Sequence, residues 1–364
     1  MKILFVAEHL SYGGAPRRFI DLANAMVDRG IDTTIFVFNG SIEIKDKVNS
    51  AIKCIERKSI KPPNSWLSRN IFYRLKCIQI INNYLKINKY DIVVSFNDMV
   101  NISVLLSKNA RKSKIVISER SDPNYNKKIL QIVKKIIYQN AKGIVFQTKG
   151  AQEFFGSKVK VKSVVIPNPI PSNVTFEPYT GEPEKIIVNV ARLWLFQKRQ
   201  DVLIKAFKVF SQKHPDYKLV LYGDGPDELV IKQLVKDLKL ESKVVFAGVT
   251  SNVIEAIKKA RLFVLTSDFE GIPNALIEAM AIGLPVISTD CSPGGSRLLI
   301  KSKENGILIK CGDINELLNA MEDMVSDPDK SYSMGHKARD VVNLLDEKRI
   351  YDIWLNYFYD VANN

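Results

Sequence analysis

Apolar, β-branched runs alternate with amphipathic stretches from one end of the chain to the other. In the first half the runs are ILFVA (3–7), TTIFVF (33–38), IVVSF (92–96), KIVIS (114–118), GIVFQT (143–148) and SVVIP (163–167). Continuous runs of this length suit strands of a parallel sheet covered on both faces. Between the first two lies PRRFIDLANAMVDRG (16–30), a helical pattern with proline in its first turn and Gly30 as its cap. Residues 66–88 predict another helix, with Trp66, Ile71, Leu75, Ile78 and Leu85 near one face.

The second half repeats the pattern. Its strands are predicted at 185–191, 218–223, 244–248, 262–267, 285–289 and 306–310, with helices at about 200–213, 226–239, 252–260, 274–282 and 314–325. Two successive βαβ series predict an α/β chain of two doubly wound domains. Five prolines in 166–184 mark the linker between a domain of residues 1–170 and one of 171–346. The last stretch, 347–364, carries aromatic residues at 351, 354, 357 and 358, a helical spacing that must pack on a domain surface.

At roughly 150 residues per domain, 364 residues also give two domains. A hydrophobic fraction of 46% excludes a wholly disordered chain. The longest stretch without a charge, 163–176, is shorter than the about 20 apolar residues of a membrane span. The N-terminus reads as a first strand and not as a secretory leader. Cys54, Cys77, Cys291 and Cys311 form no C-x-x-C pair and read as reduced thiols of a cytosolic protein. Charge is divided unevenly. Residues 1–171 hold 29 Lys/Arg against 12 Asp/Glu, and residues 172–364 hold 24 against 27. A basic half joined to a near-neutral half points to an anionic partner, nucleic acid or a membrane surface.

Several chemistries have no signature here. His9, His214 and His336 lack partners at ligand spacing, so no zinc site is expected, and neither G-x-S-x-G nor G-x-x-x-x-G-K-[ST] occurs. The pair Asp327 and Asp329 flanks a proline after a helix and reads as a turn. Three segments remain. SYGGAPRR (11–18) follows the first strand and opens a helix, with Gly13 and Gly14 allowing a close approach of backbone to a ligand. In NVARLWLFQKRQD (189–201) a strand ends at Arg192, and Lys198 precedes a helix, giving a guanidinium fork and a point charge for a phosphate. In SDFEGIPNALIEAMAIGLPVISTD (267–290), Pro273 is expected as the first helical residue, and the N–H groups of Asn274, Ala275 and Leu276 have no intrahelical acceptor. Their dipole favours an anion. Glu270 and Glu278 on either side would repel one, so they suit neutral hydroxyls of a sugar or ribose.

Arg192 and Lys198, then YGDGPDE (222–228), FAGV (246–249) and FEGIPNALIEAMAIGLPVISTD follow the order and spacing of family 4 glycosyltransferases, and Glu270 with Glu278 matches their E-x7-E motif. The GG loop and the PNP at 167–169 match as well, so the resemblance spans almost the whole chain. It is similar above all to the branch that builds bacterial capsule, exopolysaccharide and lipopolysaccharide glycans. The resemblance implies a GT-B fold of two Rossmann-like domains, the N-terminal one binding the acceptor and completed by the last helix, the C-terminal one binding the nucleotide sugar. It implies a retaining, metal-independent hexosyl or N-acetylhexosaminyl transfer from a UDP-linked donor, with no other cofactor. Arg192 and Lys198 would hold the diphosphate. Glu270, with the backbone of Gly271, Ile272, Pro273, Asn274, Ala275 and Leu276, would contact the donor sugar. Glu278 would bind the ribose diol, Val249 the base through its backbone, and Gly13 and Gly14 the diphosphate.

The chain departs from the family pattern at two places. Many members carry a histidine after the fifth strand, where this chain reads ISERSDP with Glu119 nearest, a candidate catalytic group. After CSPGG, where an acidic residue is frequent, this chain has Arg297, Leu298 and Leu299. The basic first half would suit peripheral docking on the cytoplasmic face of an inner membrane and a lipid-linked glycan acceptor. The alternatives are a UDP-sugar epimerase or hydrolase of the same fold and a basic nucleic-acid-binding protein, although no motif of the latter class is present.

Overall fold

Thirteen strands form two all-parallel sheets, and twelve of them fall on the apolar runs. The computed structural model describes residues 1–11, 14–57, 72–170 and 176–363. The chain divides into Met1–Pro169 with Glu347–Asn364, and Ile170–Asp346.

The first unit holds β1 (Lys2–Ala7), β2 (Asp32–Val37), β3 (Lys53–Glu56), β4 (Ile92–Phe96), β5 (Lys114–Glu119), β6 (Gly143–Phe146) and β7 (Ser163–Val165), in the order β3-β2-β1-β4-β5-β6-β7. Alternation along β1 divides its core. Ile3 and Phe5 pack with Phe19, Ile20 and Met26 of helix Gly14–Asp28, whereas Leu4 and Val6 join Tyr84, Val104 and Tyr138 on the other face. The helix Gly14–Asp28 ends as expected at Gly30, whose φ of 75° closes a Schellman motif with Ile31 N–H donating to Met26 O at 3.0 Å.

β3 lies outside the expected strands. Its sequence KCIE has one strongly apolar residue, because an edge strand covered on one side needs little more. The helix over 66–88 is described from Phe72 to Ile87; Trp66 and Ile71 lie outside the described residues. Its buried face is Cys77, Ile81, Tyr84 and Leu85, and Leu75 is exposed, contrary to the expected stripe. Stacking of Tyr84 on Phe36 of β2, with ring centroids 4.1 Å apart, turns the helix to this face.

Helix Glu347–Asn363 packs on the first unit. Tyr351, Trp354 and Phe358 are buried among its apolar residues. The Tyr357 hydroxyl accepts the Ile144 N–H at 2.8 Å and donates to Lys162 O at 2.7 Å, tying the helix to β6 and the approach to β7. Arg29 holds Asp352 at 2.8 Å.

The second unit holds β8 (Glu184–Val190), β9 (Lys218–Tyr222), β10 (Val244–Gly248), β11 (Ala260–Leu265), β12 (Val286–Thr289) and β13 (Ile307–Ile309), in the order β10-β9-β8-β11-β12-β13. Phe207 and Phe210 of helix Gln200–Lys213 are fully buried against Leu219, Leu221 and Met321. Asp327 caps helix Pro328–Ala338 by accepting the Lys330 N–H at 3.0 Å, so where a turn was expected a helix starts, with Asp329 in its first turn. Among the described residues, no helix is long and apolar enough to cross a membrane.

Because Trp354 fills the first unit alone, Trp354→Ala should cost that unit about 3–5 kcal/mol and leave the second unit unchanged. Urea unfolding followed by unit-specific hydrogen exchange would show an early transition confined to residues of the first unit.

Candidate functional site

In the second unit strand order reverses between β8 and β11, so the crossovers leaving these neighbours diverge and open a crevice at their C-terminal ends. The segments that emerge there are the two singled out from sequence. After β8 the chain passes Arg192, forms the short helix Leu195–Lys198 and enters helix Gln200–Lys213 through Arg199. After β11 it runs through Thr266, Ser267, Asp268 and Phe269 to Glu270.

Hydrogen bonds stitch the two segments together. The Thr266 hydroxyl donates to Lys198 O at 2.9 Å and Arg199 O at 3.0 Å. Gln197 Nε2 donates to Phe269 O at 2.9 Å, and Asp268 N–H to Gln197 O at 2.8 Å. Arg199, at a left-handed φ of 49°, is fixed by Asp201 at 3.0 Å and Asp268 at 2.9 Å. Lys198 is thereby brought onto Glu270, with which it forms a close ion pair. Glu270 is 8% exposed and also accepts from the Ser267 hydroxyl at 2.8 Å. Its own N–H donates to Ser292 O at 3.0 Å, which joins the loop after β12 to the site. Gly295, which opens the short helix Gly295–Leu299 after that loop, lies against Gly271; a Cβ there would stand 1.7 Å from Gly271 O, so only glycine fits. Behind Glu270, burial pushes the Cys291 thiol up to about 12.

The segment after β8 is supported from its other side by the YGDGPDE turn. Leu193 N–H donates to Asp224 O at 2.7 Å, and Asp227 Oδ2 accepts the Leu195 N–H at 2.7 Å. Arg192 is exposed, its guanidinium 5.9 Å from the Trp194 ring centre. Helix Asn274–Ala281 begins where the expected 274–282 stretch does, but Pro273 stands just outside it and not as its first residue. Pro273 is its cap, in extended conformation, and its carbonyl accepts the Ile277 N–H at 3.2 Å as the first helical bond. Ile272, Pro273 and Leu276 are buried, Gly271, Asn274 and Ala275 half-buried, and Glu278 is half-buried one turn inside the helix. Val249 follows β10 and is 70% exposed. Arg297, at the departure from the family pattern, is engaged by Asp290 at 2.8 Å.

The first unit has its own switch point, between β1 and β4, and a pocket of about 470 Å³ opens there. Glu8, His9, Phe19, Phe96, Asp98 and Arg120 are among its lining residues. Gly13 lies outside the described residues, and Gly14 opens helix Gly14–Asp28 beside the pocket's Pro16. Arg120 was not foreseen, although a charge immediately after a buried strand was the available signal. Its guanidinium lies 4.6 Å from the Phe96 ring centre, and burial, then Arg18, push it down to about 10. Among the described residues its Nη1 has no hydrogen-bond partner.

Glu119 turns away from this pocket. It is 1% exposed, and Lys134 Nζ lies 2.7 Å from its carboxylate and 3.0 Å from that of Asp98. The Tyr138 hydroxyl donates to it at 2.9 Å and the Ser121 hydroxyl at 2.7 Å. Burial first, then Asp98, push the Glu119 carboxyl up to about 7 against the pull of Lys134. Loss of solvation, reinforced by a second carboxylate sharing the one ammonium, accounts for that direction.

Comparison with known proteins covers both units. The profile described as Glycosyltransferase Family 4 matches residues 12–174, and that described as Glycosyl transferases group 1 matches residues 175–341. A Haemophilus influenzae protein named as an uncharacterized glycosyltransferase is 26% identical over 344 residues, 92% of this chain and 93% of its own. A Campylobacter jejuni α-1,4-N-acetyl-D-galactosaminyltransferase, named for a diNAcBac-PP-undecaprenol-linked glycan, is 27% identical over 366 residues, 100% of this chain and 99% of its own. Among solved structures, Anabaena HepE in complex with UDP superposes with a TM-score of 0.81 at 20% identity, over 99% of this chain and 100% of that one, a likeness of fold.

The Glu119 cluster makes an asymmetric prediction. Lys134→Met strands the buried Glu119 carboxylate beside the half-buried one of Asp98 and should destabilise the first unit by about 3–5 kcal/mol, whereas Glu119→Gln leaves one carboxylate on one ammonium and should cost far less. The folded Glu119 holds its proton more tightly than the unfolded chain does. The native state therefore binds more protons between the ordinary value of 4.5 and about 7, and stability falls as pH rises through that window. Melting temperatures across the window should show this slope in the wild type and a flatter one in Glu119→Gln.

Proposed function

We propose, from the premise that this chain belongs to family 4 of the glycosyltransferases and has their GT-B fold, that it moves a hexose or N-acetylhexosamine from a UDP-sugar to a growing, lipid-linked bacterial surface glycan. The observation that carries the reading is the Lys198–Glu270 pair at the β8/β11 switch point, at the threshold of helix Asn274–Ala281. A donor diphosphate brings negative charge that competes with Glu270 for Lys198. Lys198 and the exposed Arg192 neutralise it, with the helix N-terminus contributing. Glu270, anchored by Ser267, then accepts from neutral sugar hydroxyls, and Glu278 from the ribose diol.

The reaction proceeds with retention and without a metal ion. The bond between the anomeric carbon and the diphosphate oxygen breaks, and the acceptor oxygen bonds to the same face of that carbon. The acceptor proton passes to the departing phosphate oxygen. Lys198 and Arg192 stabilise the charge that develops on the leaving diphosphate. The first unit's pocket takes the acceptor, with Arg120 available to it. Glu119 acts there as a positioning residue, since its carboxylate faces Lys134 and not the pocket. The acceptor's lipid is supported by the Campylobacter jejuni relative, whose name carries an undecaprenol-linked glycan and which matches along the whole chain. The enzyme accordingly works on the cytoplasmic face of a membrane.

Calorimetric titration with UDP, GDP and ADP tests the donor site. UDP should bind in the micromolar range, and Glu278→Ala should weaken it by about 1.5–3 kcal/mol, the loss of a hydrogen bond to a charged group. Preference for GDP or ADP would change the donor, and no nucleotide binding would overturn the reading. Donor incubated alone should remain intact; an epimer or rapidly freed sugar would favour the acceptor-free chemistry.

A further inference from the structure

We propose that helix Lys128–Ile137 is the element that seats the first unit on an anionic lipid surface, an inference that rests on the membrane-bound acceptor proposed above. Ile129, Ile132 and Ile136 are 77%, 59% and 62% exposed. At 100° per residue the three fall within an arc of about 60° on one side of the helix. Single exposed apolar residues are ordinary, but an exposed stripe of three isoleucines marks a contact surface. Val161, 85% exposed, follows helix Ser157–Lys160, which packs beside Tyr138–Asn140 at the end of the same helix.

Charge identifies the occupant. Lys127, Lys128 and Lys135 are exposed beside the stripe. The 40 residues from 123 to 162 contain nine lysines and a single acidic residue, Glu153. A second copy docked by a two-fold would set like charge against like. A nucleic-acid backbone would meet isoleucines at the centre of the contact, where it needs cations. An anionic bilayer satisfies both parts: the isoleucines enter the headgroup and acyl boundary while the lysines remain among the headgroups.

The inner side of the helix fixes its place. Leu130, Val133 and Ile137 pack into the core, and Lys134 reaches inward to Glu119 and Asp98. Asp98 lines the first unit's pocket. The lipid-facing helix is thus one ion pair from the pocket, which would place a lipid-linked acceptor's opening beside its membrane.

The test is co-sedimentation of the full chain with phosphatidylcholine vesicles, and with vesicles containing about 30% phosphatidylglycerol, read together with UDP calorimetry and sedimentation equilibrium. Wild type should bind the anionic vesicles and lose binding as salt rises. Ile132→Glu/Ile136→Glu should partition about tenfold or more weakly. Lys128→Gln/Lys135→Gln, which leaves the stripe intact, should lose the part that depends on phosphatidylglycerol. Leu229→Glu, at an 81% exposed site on helix Glu228–Asp237 of the second unit, should bind as wild type does. UDP affinity should be equal in all four proteins, so loss of vesicle binding with UDP binding intact is a loss of docking alone. Equal vesicle binding by wild type and both double variants would overturn the proposal. So would a dimer that the isoleucine variant dissolves while no protein binds vesicles. Absence of UDP binding in every protein would strike the donor reading, and the vesicle comparison would still decide the docking surface.

Discussion

The middle of a parallel strand covered on both faces has no room for a charged side chain. All five residues of β4 are buried, and so are Leu262–Leu265 of β11, whose one charge, Arg261, stands at its start. The chemistry is therefore displaced to the strand ends, and of those ends only the switch point leaves a crevice, because its two crossovers part. Both units follow this constraint. In the first the break lies between β1 and β4, with Glu8, Asp98 and Arg120 at its rim. In the second it lies between β8 and β11, with Arg192, Lys198 and Glu270 beyond the strands.

What distinguishes the second site is how little freedom its charged pair retains. The Thr266 hydroxyl engages two successive carbonyls, those of Lys198 and Arg199, and Gln197 and Asp268 close the same junction. The turn after β9 holds the segment from one side, and the loop after β12 holds Glu270 from the other. A buried carboxylate left alone would be costly, and Lys198 supplies its counter-charge. Under the proposed function a donor diphosphate would displace this internal anion, and charges fixed in advance would keep the reorganisation on binding small.

Most of this was legible in the sequence because it depends on local rules. Twelve strands announced themselves as apolar runs, and Gly30 as a cap. The positions of Arg192, Lys198 and Glu270 could be anticipated because each follows a strand and precedes a helix. The remainder depended on partners distant in sequence. β3 shows no run because an edge strand needs none. The inner face of helix Phe72–Ile87 was chosen by Phe36, not by the helix's own most apolar spacing. Glu119 sits where a catalytic group was expected, yet its direction is decided by Lys134, fifteen positions away on another element. Arg120, the next residue, points the other way by the alternation of an extended chain and so reaches the pocket.

The excess of positive charge in the first half was visible from the start, but as a sum it could not separate one partner from another. Position separates them. Eight units of net charge lie in residues 123–162, and the same segment carries the exposed isoleucines of helix Lys128–Ile137. Charge alone suits any polyanion, and an apolar stripe alone suits any apolar partner; only a surface with both properties satisfies the two together. Lys134 is the exception that gives the arrangement its rigidity. It is the one lysine of that helix turned inward, and its ion pairs with Glu119 and Asp98 join the proposed docking face to the end of β5 and to the pocket wall. A carboxylate that serves the helix behind it explains why the residue nearest the position of the family's histidine is buried in the fold.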